Sequence, residues 1–206
     1  IMYNGKKNQD KMKKIKLSSV AFLTLLLTLS VYAQNIQISS AGNPTEPSIM
    51  MDPNNPDILV AGSNLNYYYT SSDGGTTWTV NTLTSSYGVW GDPVIDIDTL
   101  GHFYFTHLSN IPGGNWIDRI VCQKSTDGGS TWSDGSYTGL NGTKAQDKQW
   151  TIVDRSNNNI YMTWTEFDEY GSFISSDSSR ILFSKSLDQG NSWSTPIQIN
   201  QVSGDC

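Results

Sequence analysis

An eight-residue pattern written three times constrains the fold more than any other feature of this chain. It reads Ser71-Ser-Asp-Gly-Gly-Thr-Thr-Trp78, then Ser125-Thr-Asp-Gly-Gly-Ser-Thr-Trp132, then Ser186-Leu-Asp-Gln-Gly-Asn-Ser-Trp193. All three fit Ser-x-Asp-x-Gly-x-[Ser/Thr]-Trp. The chemistry is that of a hairpin turn: Asp73, Asp127 and Asp188 can accept backbone N–H bonds. Gly75, Gly129 and Gly190 permit positive φ, and Trp78, Trp132 and Trp193 can bury a large ring against neighbouring strands. Upstream of each box lies a second repeat, with Glu46–Asp52 matching Asp92–Asp98 and Lys148–Asp154 in one frame. A polar turn and a second strand follow each (Ile58–Ala61, His102–Thr106, Ile160–Trp164). A third strand runs into the box (Arg119–Lys124, Arg180–Lys185), and a fourth leaves it (Trp193–Ile199). Units of four up-and-down strands recurring at about 46 to 61 residues are propeller blades. The expected fold is therefore all-β, a β-propeller of four-stranded antiparallel blades spanning about 46–87, 92–140 and 147–200.

Composition narrows the partners. Of 206 residues, 13 are Lys or Arg and 19 Asp or Glu, a net charge of −6. Six of the basic residues fall in the first sixteen positions. From Gln34 onward 7 basic residues face 18 acidic ones, a net of −11. A surface this acidic excludes non-specific nucleic-acid binding, which needs a basic footprint, and docking on anionic lipid. Residues 1–33 read as a leader and signal peptide. Lys13, Lys14 and Lys16 precede an apolar run from Val20 to Val31, and Val31-Tyr32-Ala33 places small residues at a cleavage site. The run is shorter than the roughly 20 apolar residues of a membrane span, so a secreted protein without a membrane anchor is expected. Met12 reads as a start. Cys122 and Cys206 are too few for a disulfide scaffold.

The boxes resemble the Asp-box, or bacterial neuraminidase repeat, of the sialidase superfamily, over about residues 40–206. That resemblance implies a six-bladed ring of which three blades are present, the remaining blades coming from further chain. It also implies peripheral, structural boxes and an active site on the opposite face, above the innermost strands. Up-and-down topology assigns residues to that face directly. Glu46, Asp92 and the pair Asp147-Lys148 start inner strands; Asp118-Arg119 and Arg180 start third strands; the long connections carry Trp116, Asp168, Glu169, Tyr170 and Asp177.

Asp92 and Asp147 are the candidate general acids, since crowded carboxylates raise one another's pKa. The superfamily pairs an Asp acid/base with a Tyr nucleophile activated by Glu, and the resemblance implies an exo-α-sialidase type of glycoside hydrolase. Arg119 and Arg180 are candidate grips for a substrate carboxylate, with Glu46, Asp118 and Trp116 beside them in the substrate-binding set. Against this, strand-end arginines commonly pair with a neighbouring carboxylate. The sialidase arginine of the first blade is also replaced here by Glu46, within Thr45-Glu46-Pro47-Ser48-Ile49. Asp168, Glu169 and Asp177 make an oxygen-rich loop of the kind that suits calcium; no motif requires another cofactor. His102 and His107 read as packed histidines. The expected ligand is an extracellular glycan or glycoprotein. The alternative to catalysis is an Asp-box propeller that binds glycan or protein as a module of a larger secreted chain.

Overall fold

The computed structural model describes residues 35–42 and 44–206, and Gln37–Cys206 form one compact unit. The leader and signal peptide fall outside the described residues. Among those described, no helix is long and apolar enough to cross a membrane. Among the described residues twelve strands make three four-stranded antiparallel sheets, each in simple sequential order. Sheet I holds β1 (Ser48–Met51), β2 (Leu59–Ser63), β3 (Tyr67–Ser71) and β4 (Thr79–Thr82). Sheet II holds β5 (Val94–Ile97), β6 (Phe103–Asn110), β7 (Trp116–Ser125) and β8 (Ser136–Thr138). Sheet III holds β9 (Ala145–Asp154), β10 (Asn159–Phe167), β11 (Ser179–Ser186) and β12 (Ile197–Gln198). Three such sheets stacked in sequence have the form of propeller blades.

Each box closes the turn between the third and fourth strands in the same way. The Ser71 hydroxyl donates to Asp73 Oδ1 (2.9 Å) and accepts from the Gly75 N–H (2.9 Å). Asp73 in turn accepts from the Thr77 N–H (2.8 Å) and hydroxyl (2.6 Å). Asp127 and Asp188 repeat the set with Thr131 and Ser192. Gly75, Gly129 and Gly190 stand at φ 84°, 85° and 79°, a region that side chains with a Cβ avoid. A second device closes the turn between first and second strands: Asp52, Asp98 and Asp154 each accept the N–H two residues on, at 2.8, 2.9 and 2.8 Å, as Asx-turns do.

The tryptophans of the second and third boxes also join the sheets. The Trp132 ring meets Tyr68 of sheet I edge-on at 5.8 Å and Phe105 at 5.7 Å. Trp193 Nε1 donates to Ser136 Oγ of sheet II at 2.9 Å. Inner strands are tied directly as well, with the Ile95 N–H donating to Ser48 Oγ (2.9 Å) and the Val153 N–H to Asp96 Oδ2 (2.8 Å). Apolar cores fill the gaps: Val60, Tyr68, Ile95, Ile97 and Phe105 between sheets I and II, and Tyr104, Cys122, Val153 and Ile160 between II and III. His107 is buried, its ring nitrogens facing Leu108 O (2.8 Å) and Gln123 Oε1 (3.1 Å), and burial pushes its pKa down to about 4.

One detail differs from the sequence expectation. The fourth strand of sheet III is only Ile197–Gln198: the Ser194 N–H still reaches Lys185 O of β11 at 2.8 Å, but Pro196 lacks an N–H for the ladder. Residues 201–206, which the sequence alone reads as the loop entering a fourth blade, stay beside β11 as far as Gly204. There Gly204 and Ser179 exchange both backbone bonds (2.9 and 3.0 Å).

Sheet III keeps strict alternation in β10, with one residue in two buried. Its outer face leaves Trp150 67% and Ile152 63% exposed, beside stacked Tyr161 and Phe183. Such an apolar face drives association, so the double variant Trp150→Lys, Ile152→Lys should reduce concentration-dependent light scattering while leaving Tm nearly unchanged. A Tm collapse would show that the face is packed in solution. For the boxes, the Ser192 hydroxyl holds the Asp188 carboxyl below the usual range. Its contribution is therefore present above the unfolded carboxylate pKa and lost as pH falls through the folded one. Asp188→Ala should cost on the order of 1–2 kcal/mol in urea unfolding at pH 7, at the low end because water screens the site, with the difference shrinking on acidification.

Candidate functional site

Three residues related by the repeat share one unusual backbone conformation: Glu46 and Asp92 lie two positions before β1 and β5, while Lys148, expected to start its strand, lies within β9 where the pairing with β10 shifts register. Glu46, Asp92 and Lys148 have φ of 53°, 51° and 52°, which costs roughly 1–3 kcal/mol for a residue with a side chain. Glu46 and Asp92 also precede prolines, which further restricts them. The conformation turns all three side chains toward one another across three sheets. Lys148 Nζ lies 3.7 Å from Glu46 Oε2 and 3.6 Å from Asp92 Oδ2.

The backbone around this triad is held from below. Asn64 Oδ1 accepts the Asp92 N–H at 2.7 Å, and the Asn64 N–H donates to Thr45 O at 3.0 Å. Gly91 makes room for that contact: a Cβ there would lie 2.0 Å from Asn64 Oδ1. Gln149 Nε2 donates to the carbonyl oxygens of Asp92 and, at 3.2 Å, Thr106. One amide from sheet I and one from sheet III thus clamp the peptide that carries Asp92.

Electrostatics divide the two acids. Burial, and then the Glu46 carboxylate, push Asp92 up to about 7, while the Lys148 ammonium pulls the other way. Glu46 moves down, chiefly because Asp92 donates a hydrogen bond to it. Near neutral pH the cluster therefore offers a proton on Asp92, a negative charge on Glu46 and an ammonium on Lys148. Asp147 stands beside them, and its charge is the main reason the Tyr170 hydroxyl is raised above its ordinary value.

An aromatic wall borders the cluster. Trp116 meets Tyr170 edge-on at 5.5 Å and Trp90 at 6.3 Å, and Tyr170 meets Phe167 at 5.1 Å. Trp116 remains 45% exposed and Tyr170 49%. Together with Glu169 they line an open cleft of about 430 Å³.

Of the sequence candidates, Glu46, Asp92, Asp147 and Trp116 come together here. Arg119, Asp118 and Arg180 do not join them as free groups. Arg119 Nε and Nη2 each donate to Asp118 at 2.8 Å, and its guanidinium lies over the Tyr137 ring at 4.7 Å. Arg180 donates to Glu166 at 2.6 Å and to Asp168 at 2.7 Å. A third strand lies far enough from the first that its leading residue finds a partner within its own sheet. The metal candidates are redirected for a related reason. Asp168 is matched by Lys144 (2.5 Å) and Arg180, which hold it far below the usual carboxylate range. Asp177 Oδ2 accepts the Ser172 hydroxyl, and Glu169 faces the cleft. Among the described residues no group of three acidic, His or Cys side chains is placed to hold a metal. Lys148 and Tyr170 were placed on this face by the sequence but given no role in the site; Trp90 and Asn64 were not singled out at all. Lys148 carried a usable signal, because it fills the same position of the repeat as Glu46 and Asp92.

No family model matches the chain, and no curated protein is significantly similar to it. Solved structures are similar in fold. A protein of unknown function from Dyadobacter fermentans shares 11% identity with a TM-score of 0.55, covering 75% of this chain and 50% of that one. An α-L-arabinanase of Penicillium chrysogenum, complexed with arabinobiose, shares 16% identity with a TM-score of 0.53, covering 77% and 50%. A Hadza microbial sialidase gives 18% identity over 70% and 35%, at a TM-score of 0.43, too low to carry an argument. The chain spans about half the length of the first two, and at these identities the likeness is one of fold alone.

Because Asp92 is raised above the unfolded value of about 3.9, the fold binds its proton more tightly than the unfolded chain does. That contribution is complete below about pH 4 and is lost as pH rises through about 7. Asp92→Asn cannot ionise, so from pH 5 to pH 8 it should gain on the order of 1–2 kcal/mol relative to wild type in denaturant unfolding. A pH-independent difference would show that Asp92 is ionised throughout.

Proposed function

We propose that this chain forms part of a secreted β-propeller glycoside hydrolase acting on extracellular glycans, with Asp92 as its general acid. The observation that carries the reading is a largely buried carboxyl, Asp92, set against Glu46 and Lys148, with its pKa pushed up to about 7, beside an exposed Trp116–Tyr170 wall. Glycosidic cleavage needs a proton for the leaving oxygen and negative charge near the developing oxocarbenium ion. Asp92 supplies the first, with Glu46 steering its proton; Asp147 supplies the second. Aromatic faces suit the C–H faces of sugar rings. The arabinanase likeness in fold is compatible with this chemistry. Three sheets cover part of a ring, and further blades, carrying the residue that attacks the anomeric carbon, complete the proposal.

The exo-sialidase form of this reading is the less favoured one, since the two arginines it would use are occupied by Asp118, Glu166 and Asp168. Exposed Trp116 equally suits the second reading, a propeller that binds glycan without cleaving it.

A panel of fluorogenic glycosides separates these readings. For a hydrolase, turnover should fall as pH rises through about 7, when Asp92 loses its proton. Asp92→Asn should reduce kcat by at least about 100-fold, and Trp116→Ala should raise KM. Glycan binding that survives Asp92→Asn, with no turnover by wild type on any substrate, would favour the binding module.

A further inference from the structure

The same cluster specifies the charge of its ligand, an inference that rests on its being a glycan site. Four cations stand on this side of the sheets, Arg119 and Arg180 near the third-strand starts, Lys144 before β9 and Lys148 within it, and each lies within 4 Å of a carboxylate of the chain itself. Arg119 is held at two points by Asp118, inside a cage closed by Tyr137 and Tyr87. Arg180 and Lys144 share Glu166 and Asp168. Lys148 lies between Glu46 and Asp92. An arriving carboxylate would find Arg119, Arg180 and Lys144 hydrogen-bonded to carboxylates of the chain, and the one exposed cation, Lys148, already offset by Glu46, with Asp147 beside it. Like charges set face to face at a binding surface oppose association.

A neutral sugar meets the opposite situation. A carboxylate has lone pairs for two or more hydroxyl donors, and Glu46, whose side chain is 43% exposed, keeps acceptor capacity toward solvent. Lys148 is 62% exposed and has N–H bonds to spare for ring or hydroxyl oxygens. Trp116 and Tyr170 offer apolar area to the ring face without regard to charge.

We propose that the site formed by Glu46, Asp92, Lys148 and the Trp116–Tyr170 wall selects an uncharged glycosyl unit and rejects one bearing a carboxylate. Glu46 is the specificity determinant and Lys148 its counterweight.

The test is binding rather than turnover, so that it does not depend on catalysis. The full chain is applied to a glycan array on which neutral oligosaccharides stand beside their sialylated and uronic-acid-capped counterparts. Hits are then titrated by calorimetry at low and high salt. Neutral members should bind at least about tenfold more tightly than their acidic counterparts at low ionic strength, the gap narrowing in about 0.5 M salt as the repulsion is screened. Glu46→Gln should narrow the gap at low salt, and Lys148→Met should widen it. The two opposite shifts guard against a variant that merely loosens the fold, which would weaken both ligands alike. Acidic glycans bound as tightly as neutral ones, or more tightly, would overturn the selection and leave the glycan-site reading standing. No glycan bound by wild type would overturn both.

Discussion

The interaction on which the rest depends is the contact between a box tryptophan and the sheet before it. The box itself is a local object: a serine, an aspartate and a glycine satisfying one another within six residues. Its aspartate needs nothing from the rest of the chain. The tryptophan at its end does, because a ring of that size loses most when left in water. Trp132 against Tyr68 and Phe105, and Trp193 against Ser136, convert a private turn into a joint between sheets. Remove that joint and the sheets remain hairpins with one apolar face each.

Stacking the sheets has a consequence at the far end of the inner strands. Three positions related by the repeat are brought side by side, though the chain separates them by about fifty residues each. An ordinary solution would place small or neutral groups there. The chain instead places two acids and a lysine in a backbone conformation that none of them prefers. The amide of Asn64 and that of Gln149 clamp the middle one. Strain held by clamps from two neighbouring sheets is the pattern expected where geometry serves a ligand. The boxes, by contrast, put their positive φ on glycine in five of six central positions, Gln189 being the exception.

The acidic character of the surface explains why the arginines fail as free ligand grips. With so few cations among so many carboxylates, each guanidinium finds a partner close by. Arg119 finds the residue preceding it, and Arg180 finds two side chains at the end of the neighbouring strand and its connection. Sequence motif logic treats an arginine at a strand mouth as available; the local charge balance decides that it is not.

Much of the architecture was legible because it is written in short, repeated words. The box pattern, the second-strand offset and the aspartate ending each inner strand all act over a few residues, so their spacing is their structure. Asp92 was legible for the same reason, being a repeat position that precedes an inner strand, and Asp147 as the neighbour of another. What the sequence could not express is which charges meet. The approach of Lys148 to Glu46 joins sheet III to sheet I, the wall of Trp90, Trp116 and Tyr170 is assembled from two connections and the first residue of β7, and the proton on Asp92 depends on burial and on the Glu46 carboxylate. Local hydrogen bonding determined the turns and the strand order. Only the stacking of one sheet on the next decided the site, because electrostatics act between neighbours in space and the sequence records neighbours along the chain.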